Sequence, residues 1–250
     1  MRISTSFHDV PVAGVERPMR TLVAAPAAGG DFPAVAFYSD IFQLSEATVR
    51  WVSRLASYGF VVAAPEIYYR IETAGTVLPF DDEGKARGQA DVEALTTAQF
   101  DDDIAALLSW LPELPGVAGA SVGAAGHCTG GHLAFRAAMR PEVAATVCWY
   151  PTGLADGRLG ADPDSGSLAQ ANRIDGPMLL IFGGSDPHTP AADRDVVRQG
   201  LDAAGVDYRW SVVEGAEHAF GRDVGPRWDP QATDEAFAQT VVFLRDHLRG

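Results

Sequence analysis

The sequence predicts an α/β fold in which a mostly parallel central sheet is covered by helices on both faces. Short continuous apolar runs, such as residues 60–66 and 177–184, are typical of strands buried on both sides of a parallel sheet. Segments with helical periodicity separate these runs, and such alternation gives parallel strands joined by helical crossovers. Because 250 residues with 47% hydrophobic content suffice for one substantial core, we expect a single domain over residues 1–250.

The first part of the chain is predicted to open with β structure and then to alternate. Residues 3–25 mix Ser, Thr and Val with turn residues, and a proline closes the strand that we predict at the end of this region. Residues 33–38 and 60–66 are short apolar runs that predict two further strands. Between them we predict a helix that begins after the capping residue Ser45 and ends at Gly59.

Residues 67–97 show no clear period, and we expect a functional loop or lid there because long irregular segments in compact domains often have that role. The rest of the chain returns to alternating strands and amphipathic helices. In chain order, we predict a helix over 103–111, a strand over 121–127, a helix over 129–140, strands over 143–151 and 177–184, a helix over 194–205, a strand over 207–214 and a helix over 233–248.

Charge and composition exclude several classes of function. Lys and Arg total 19 against 33 Asp and Glu, a formal net charge of −14 that disfavours nucleic acid and anionic lipid as partners. No apolar run is long enough to cross a bilayer and the N-terminus is too polar for a secretory signal, so we expect a cytoplasmic protein. The two cysteines, Cys128 and Cys148, have neither the spacing of a zinc site nor that of a disulfide framework.

One motif carries candidate chemistry. At Gly126-His127-Cys128-Thr129-Gly130-Gly131 a predicted strand runs directly into a predicted helix, with a nucleophilic side chain in the turn. Glycines flank the turn because it is tight and strained, and a Cβ at those positions would clash with the adjacent strand or helix. The turn also places Cys128 at a helix N-terminus, where free backbone N–H groups favour the thiolate.

Two further residues follow later strands in the same manner. Asp186 lies just after the strand over 177–184, and His218 lies just after the strand over 207–214. We therefore predict a catalytic triad in which His218 accepts the proton of Cys128 and Asp186 orients the imidazole. The chain order of nucleophile, acid and histidine, each at the C-terminal end of a strand, supports this interpretation.

Taken singly, each of these residues has a simpler interpretation. A lone cysteine at the end of a buried strand is commonly a small core hydrophobe, Asp186 is a candidate turn residue, and His218 is a candidate surface histidine. These interpretations do not explain why the three occur together at strand ends. The other histidines are predicted to pack or hydrogen-bond locally (His127 and His132) or to be solvated (His8, His188 and His247).

With these residues identified, the chain resembles the dienelactone hydrolase family (carboxymethylenebutenolidases) of the α/β-hydrolase fold over nearly its full length. The segments that carry the resemblance are 126–131, 183–190 and 214–222. The resemblance implies a hydrolase in which a thiol attacks a lactone or ester carbonyl and water releases the acyl group. It implies no metal and no organic cofactor, and a small-molecule ester or lactone as the partner.

The resemblance also implies an acid beside the thiol and a pair of oxyanion donors. The family's acidic residue, a glutamate, follows the first core strand, and here Asp40 stands in that place with one methylene fewer. A competing interpretation is that Asp40 caps a local turn. The backbone N–H groups of Thr129 and Ile41 are the expected oxyanion hole.

Two arginines grip the substrate carboxylate in the family, because a planar guanidinium forms two hydrogen bonds to a carboxylate. Arg222 matches one of them directly. Arg87 matches the other if one residue is inserted, and Lys85 competes for that role. Phe42 is expected at the substrate, and Trp149, Tyr150 and Phe220 are further candidates to line the pocket.

Together with the resemblance, these residues predict a hydrolase of small, anionic esters or lactones. Dienelactones and other small esters are both open as substrates, because residues 91–95 lack the family's aromatic pocket side chains. One alternative is a thioesterase, a peptidase or an acyltransferase on the same fold. A second is a non-enzymatic thiol sensor. A sensor does not need an aspartate to orient a histidine, which favours the enzyme.

Overall fold

The computed structural model describes residues 1–248, and eight strands of this part form one sheet. The spatial order is β1-β2-β4-β3-β5-β6-β7-β8. The strands are β1 (Ile3–Val10), β2 (Met19–Pro26), β3 (Phe32–Tyr38), β4 (Val61–Pro65), β5 (Val117–His127), β6 (Val143–Trp149), β7 (Met178–Gly183) and β8 (Tyr208–Val213).

Helices separate most of the parallel strands along the chain. They are α1 (Glu46–Ser57), α2 (Asp82–Glu93), α3 (Thr97–Trp110), α4 (Thr129–Ala137), α5 (Ala191–Ala204) and α6 (Pro230–His247). Among residues 1–248, none of them is both long and apolar enough to cross a membrane.

The sheet is mostly parallel, as the sequence predicts. β1 pairs antiparallel with β2 and β2 pairs antiparallel with β4, whereas all pairs from β4 across to β8 are parallel. The carboxyl ends of β3, β5, β6, β7 and β8 therefore meet at one edge of the sheet. In sheets of this kind that edge is where ligands bind.

Two apolar cores cover the two faces, because successive side chains of a strand point to opposite sides. On β3, Ala34 and Ala36 belong to the core that α3, α4 and α5 cover, and Val35 and Phe37 belong to the core that α1 and α6 cover. Cys148 of β6 is fully buried in the first of these cores. The fold class predicted from alternation is confirmed.

The helix after Ser45 begins and ends as predicted. The Ser45 hydroxyl oxygen accepts a hydrogen bond from the Thr48 N–H, which satisfies one of the free donors at the start of α1. The chain leaves α1 through Gly59, whose φ of +94° lies in the left-handed region that favours glycine.

The expectation of an irregular loop over 67–97 is wrong for its second half, where α2 forms. The Asp81 side chain caps α2 by accepting from the Gly84 N–H at 2.8 Å. The sequence pattern does not reveal this helix, because its buried positions include Gly84 and Gly88 where an amphipathic helix has a stripe of apolar side chains. A Cβ at Gly88 would lie 2.5 Å from the Ile41 carbonyl oxygen, so these glycines let α2 dock closely.

We predict that Gly88→Ala destabilises the protein although alanine is the better helix former. The helix gains about 1 kcal/mol from alanine, whereas forcing a methyl group into the Ile41 carbonyl costs about 1–3 kcal/mol. The melting temperature should fall by several degrees. Gly200→Ala in α5 is the matched control, because its Cβ would meet only the Leu168 side chain, at 3.3–3.5 Å. A Gly88→Ala melting temperature at or above that of Gly200→Ala would contradict the docking argument.

Candidate active site

The turn at Cys128 joins β5 to α4 at the edge where the strand ends meet. Cys128 has φ 56° and ψ −121°, a strained conformation for a residue with a side chain. The turn is possible because a Cβ at Gly126 would lie 2.0 Å from the Gly130 carbonyl oxygen, and one at Gly130 would lie 2.1 Å from the Tyr38 carbonyl oxygen. The backbone segments therefore pack directly against each other at these two glycines. The strained turn leaves the Cys128 side chain projecting from the end of β5.

Three side chains predicted from separate strand ends lie in hydrogen-bonding contact. His218 Nε2 is 3.2 Å from Cys128 Sγ, and His218 Nδ1 is 2.7 Å from Asp186 Oδ2. Asp186 also accepts hydrogen bonds from the His188 N–H at 2.7 Å and the Thr189 hydroxyl at 2.9 Å. The fixed carboxylate assigns the Nδ1 proton of His218 and directs Nε2 at the sulfur.

Burial and pairing act in opposite directions on these groups. Burial raises the pKa of the Cys128 thiol, but His218 and the Thr129 N–H outweigh it and hold that pKa below its usual value. Burial lowers the pKa of His218, but Cys128 and Asp186 raise it above its usual value. The pKa of Asp186 stays below its usual value despite burial, because His218 and its other donors favour the carboxylate. The geometry favours a thiolate beside an imidazolium.

The protein's second thiol has the opposite character. Cys148 is fully buried, and burial alone raises the pKa of its thiol well above the usual range. Only Cys128, which is partly exposed, combines a thiolate-stabilising neighbour with access from the cavity.

Asp40 contacts Arg222. Asp40 Oδ2 accepts from Arg222 Nη1 at 3.2 Å, and Asp40 Oδ1 accepts from the Phe42 N–H at 3.0 Å. Burial raises the pKa of Asp40, and the positive charge of Arg222 partly offsets this. The Arg222 guanidinium lies 4.9 Å from the ring centre of Phe42 and 4.5 Å from that of Phe80. Arg222 is therefore held at the cavity by one ion pair and two aromatic faces.

A cavity of about 760 Å³ opens in front of the thiol. Its floor and sides include most of the residues that the sequence singles out: Cys128, His218, Asp40, Ile41, Phe42, Thr129, Lys85 and Arg222. Opposite walls come from the cavity face of α2 and from the loop after β6, with Gln89, Val92, Leu159 and Asp162 among the lining residues.

Several predicted pocket residues lie elsewhere. Arg87 is exposed and binds Glu72 through two hydrogen bonds of 2.7 and 2.6 Å, so the structure brings Lys85 and not Arg87 to the cavity. Trp149, Tyr150 and Phe220 are fully buried and pack around one another, and the Tyr150 ring lies against that of His218. Aromatic side chains beside strand ends here serve the core.

Two lining residues carried no predicted role. His188 is exposed, as the sequence predicts, and in addition its ring packs 4.6 Å from that of His218 and lines the cavity. Thr152 follows β6, and its hydroxyl is 3.9 Å from Cys128 Sγ. The sequence signal for both is the same as for the triad, a polar residue just beyond a strand end, but without a motif around it.

Glu72, Arg87 and Asp91 form a cluster behind α2. Asp91 is buried with Glu72, and a single guanidinium from Arg87 faces the two carboxyl groups. Burial, together with the charge of Glu72, raises the pKa of Asp91 to about 6. Below that pKa, the Asp91 carboxyl group carries a proton that it shares with Glu72, and this contact joins α2 to the segment before it.

Comparison with known sequences gives a consistent picture. The family model of the dienelactone hydrolase family matches residues 19–248. A relative from Saccharomyces cerevisiae, named "Putative carboxymethylenebutenolidase", is 34% identical over 230 residues, which cover 89% of this chain and 84% of the relative. A Synechocystis relative with the same name is 27% identical over 248 residues, covering 99% of this chain and 98% of the relative.

Comparison with solved structures agrees on the fold. A crystal structure of a "Putative Dienelactone Hydrolase" from Klebsiella pneumoniae superposes with a TM-score of 0.84 at 23% identity, covering 99% of this chain and 100% of that one. The architecture is that of an α/β-hydrolase, as the sequence predicts.

We predict that Asp91→Asn stabilises the protein at high pH only. Because the folded-state pKa of Asp91 is raised to about 6, its contribution to stability is present at low pH and is lost as pH rises toward and past 6. An asparagine amide donates to Glu72 at every pH. The variant's melting temperature should exceed that of the parent by about 2–4 °C at pH 8, and this difference should shrink steadily as pH falls through 6 toward 4.5. The control is Glu93→Gln, an exposed carboxylate on the same helix. A gain that does not change with pH would contradict the shared proton.

Proposed function

The chain belongs to the dienelactone hydrolase family, and from this premise we propose that it hydrolyses small esters or lactones through an acyl-enzyme on Cys128. One observation carries the proposal. Cys128, His218 and Asp186 form a continuous hydrogen-bonded series at the cavity, with separations of 3.2 and 2.7 Å. Acyl transfer requires a nucleophile that is hydrogen-bonded to a base, and a carboxylate that orients the base.

In the proposed first half of the reaction, the Cys128 thiolate attacks the substrate carbonyl carbon. The carbonyl π electrons move to its oxygen and form a tetrahedral oxyanion. When the oxyanion collapses, the bond from carbon to the alkoxy oxygen breaks, and the imidazolium of His218 gives its Nε2 proton to that oxygen. A lactone opens at this step, and its alcohol stays attached to the acyl group.

In the second half, His218 is neutral and takes a proton from water. The resulting hydroxide attacks the thioester carbon, and the carbon–sulfur bond breaks. Cys128 leaves as the thiolate that the resting site stabilises, and the carboxylic acid product departs. The buried Asp186 carboxylate stabilises the imidazolium each time it forms.

Each tetrahedral oxyanion needs donors that are already in place. We propose the backbone N–H groups of Thr129 and Ile41 for this role, since both residues line the same cavity as the thiol. Thr129 begins α4, so its N–H points along a helix dipole whose positive end faces the developing charge.

We further propose that the substrate is anionic and that Arg222 binds its charge. Among residues 1–248, Arg222 Nε is buried without a hydrogen-bond partner, and Asp40 takes only one of the guanidinium's terminal nitrogens. A carboxylate reaching this group would gain charge-assisted hydrogen bonds in a partly dry site. It would also compete with Asp40, whose raised pKa makes it able to take a proton when it is displaced.

Arg87 and Lys85 are the two candidates for a second cation, and their contacts differ. To bind substrate, Arg87 would have to give up its two hydrogen bonds to Glu72. Lys85 already lines the cavity and would meet an anion without such a loss. We propose Arg222 as the principal contact and Lys85 as the second. Small lactones and open esters that carry one carboxylate both meet this description.

We predict that Cys128→Ala loses at least about 10³-fold in kcat on a chromogenic ester, because no other group on the cavity wall is an activated nucleophile. His218→Ala should be nearly as slow, and the double variant should be no slower than the worse single variant, since the two side chains act in one step. Cys148→Ala is the matched control and should retain parental activity. Substantial hydrolysis by Cys128→Ala, or multiplicative losses in the double variant, would contradict the mechanism.

We predict that the parent prefers a carboxylated ester over its neutral isostere by about tenfold to a hundredfold in kcat/KM. Arg222→Ala should remove most of that preference while it still turns over the neutral ester, because the triad is untouched. Arg87→Ala serves as the matched control and should keep the preference. If the ratio of kcat/KM for the charged and neutral esters were the same in the parent and in Arg222→Ala, Arg222 would not bind the substrate charge. Faster hydrolysis of a thioester or a peptide than of these esters would argue for a different acyl substrate.

A further inference from the structure

Thr152 lies beside the nucleophile and is not part of the triad. Its hydroxyl oxygen is 3.9 Å from Cys128 Sγ, and its N–H donates to the Cys128 carbonyl oxygen at 3.3 Å. It lines the cavity at the start of the loop that follows β6. Thr152 therefore contacts Cys128 through both its backbone and its side chain.

A buried series of hydrogen bonds holds Thr152 from behind. His132, on the first turn of α4 after Cys128, places Nδ1 2.9 Å from the Thr152 carbonyl oxygen and Nε2 2.7 Å from the Ser167 hydroxyl. Arg136, one turn further along α4, lies 2.9 Å from the same hydroxyl and binds Asp101 through two hydrogen bonds of 2.7 and 2.6 Å. The series links α4 and α3 to the loop that carries Thr152.

The direction of each hydrogen bond in this series is fixed. A carbonyl oxygen only accepts, so His132 Nδ1 carries a proton and donates to Thr152. Burial lowers the pKa of His132 to about 3, so the ring is neutral and its Nε2 accepts from the Ser167 hydroxyl. Arg136 only donates, and the Ser167 oxygen accepts from it. Because all of these donors and acceptors belong to the protein, the position of the Thr152 backbone is determined by the fold and not by the substrate.

We propose that the Thr152 hydroxyl is a catalytic group that donates a hydrogen bond to the Cys128 thiolate, with His132 as its positioning residue. The inference rests on the proposed function and adds a member to the same site. A thiolate has no proton, so each polar neighbour must donate to it. Three donors surround the sulfur: His218 Nε2, the Thr129 N–H and the Thr152 hydroxyl.

Other charged and titratable groups also face the Cys128 thiol and affect its ionisation independently of Thr152. Asp40, after β3, disfavours the thiolate by its negative charge. Tyr68 and Tyr150 are buried nearby, and burial keeps both phenols neutral by raising their pKa values. Asp186 acts on the sulfur only through His218.

The hydroxyl contributes at both ends of the catalytic cycle. It raises the thiolate population of the resting site and stabilises the thiolate as it leaves the second tetrahedral intermediate. In the acyl-enzyme the sulfur is part of a thioester, which accepts hydrogen bonds weakly, so the contact favours release of the acyl group over its retention. Such a donor also lowers the intrinsic reactivity of the sulfur, and the thiol's titration is therefore the sharpest measurement.

The test is the pH dependence of alkylation of Cys128 by iodoacetamide in the full-length protein. Thr152→Val keeps the shape of the side chain and removes the hydroxyl. It should raise the midpoint of the pH profile, with about three- to tenfold slower alkylation on the rising limb, because one donor to the thiolate is lost. Thr152→Ser should restore the parental profile. Thr21→Val, which removes a buried hydroxyl on β2, is the matched control and should leave the profile unchanged.

An unchanged midpoint in Thr152→Val, or a shift that Thr152→Ser does not reverse, would overturn the proposal. Alkylation needs no substrate, so this result is independent of whether the protein hydrolyses esters. If Cys128→Ala retained ester hydrolysis while Thr152→Val still shifted the thiol profile, the proposed function would fall and the hydrogen bond would stand. If the triad variants were inactive and the thiol profile did not move, only the role of Thr152 would fall.

Discussion

The site depends on the close approach of backbone segments around Cys128. α4 begins directly against the carboxyl ends of β3 and β5, and only glycine at 126 and 130 leaves room for the Tyr38 and Gly130 carbonyl groups. This packing holds Cys128 in its strained conformation with positive φ. Because the chain continues from Tyr38 into Asp40 and Ile41, the same contact also fixes the distance between the thiol and the first loop. The same backbone contact thus positions the proposed nucleophile, the acid beside it and the proposed oxyanion donor.

Burial at the site disfavours the charged form of each carboxylate, and hydrogen-bond donors and cations nearby offset this cost to different extents. Asp186 keeps a negative charge because it accepts several hydrogen bonds, whereas Asp40 has one cation and one N–H and its pKa is raised. The difference makes Asp186 harder to protonate than an ordinary aspartate and Asp40 easier to protonate. Environment, more than residue type, assigns their roles.

The fold and the proximity of Cys128, Asp186 and His218 were predictable from the sequence because they rest on local signals. Alternating apolar runs mark the strands, and Cys128, Asp186 and His218 each stand at a strand end, whose place in a parallel sheet is known in advance. The position of Arg87 was not predictable in this way. Its side chain turns to Glu72, which lies in an irregular segment, and the contact depends on how α2 docks.

The helix α2 and the contact between Thr152 and His132 were not predicted, because both depend on how distant parts of the chain pack together. α2 has buried glycines where an amphipathic helix has apolar side chains, so its periodicity is lost. Thr152 and His132 lie 20 residues apart and show their relation only when α4 packs against the loop after β6. When a residue acts through a contact with a distant part of the chain, its sequence neighbours give no signal of that role.

The contrast between the two sulfurs has a consequence for oxidative damage. Peroxide reacts with thiolates, so oxidation should begin at Cys128, while Cys148 is shielded by the core and by its raised pKa. Because Cys148 is enclosed, it offers no partner with which a sulfenic acid at Cys128 could form an internal disulfide. Rescue then falls to small thiols that enter by the substrate cavity. A bound acyl group, by occupying the sulfur, would protect it, and the resting protein would be the form most vulnerable to irreversible oxidation.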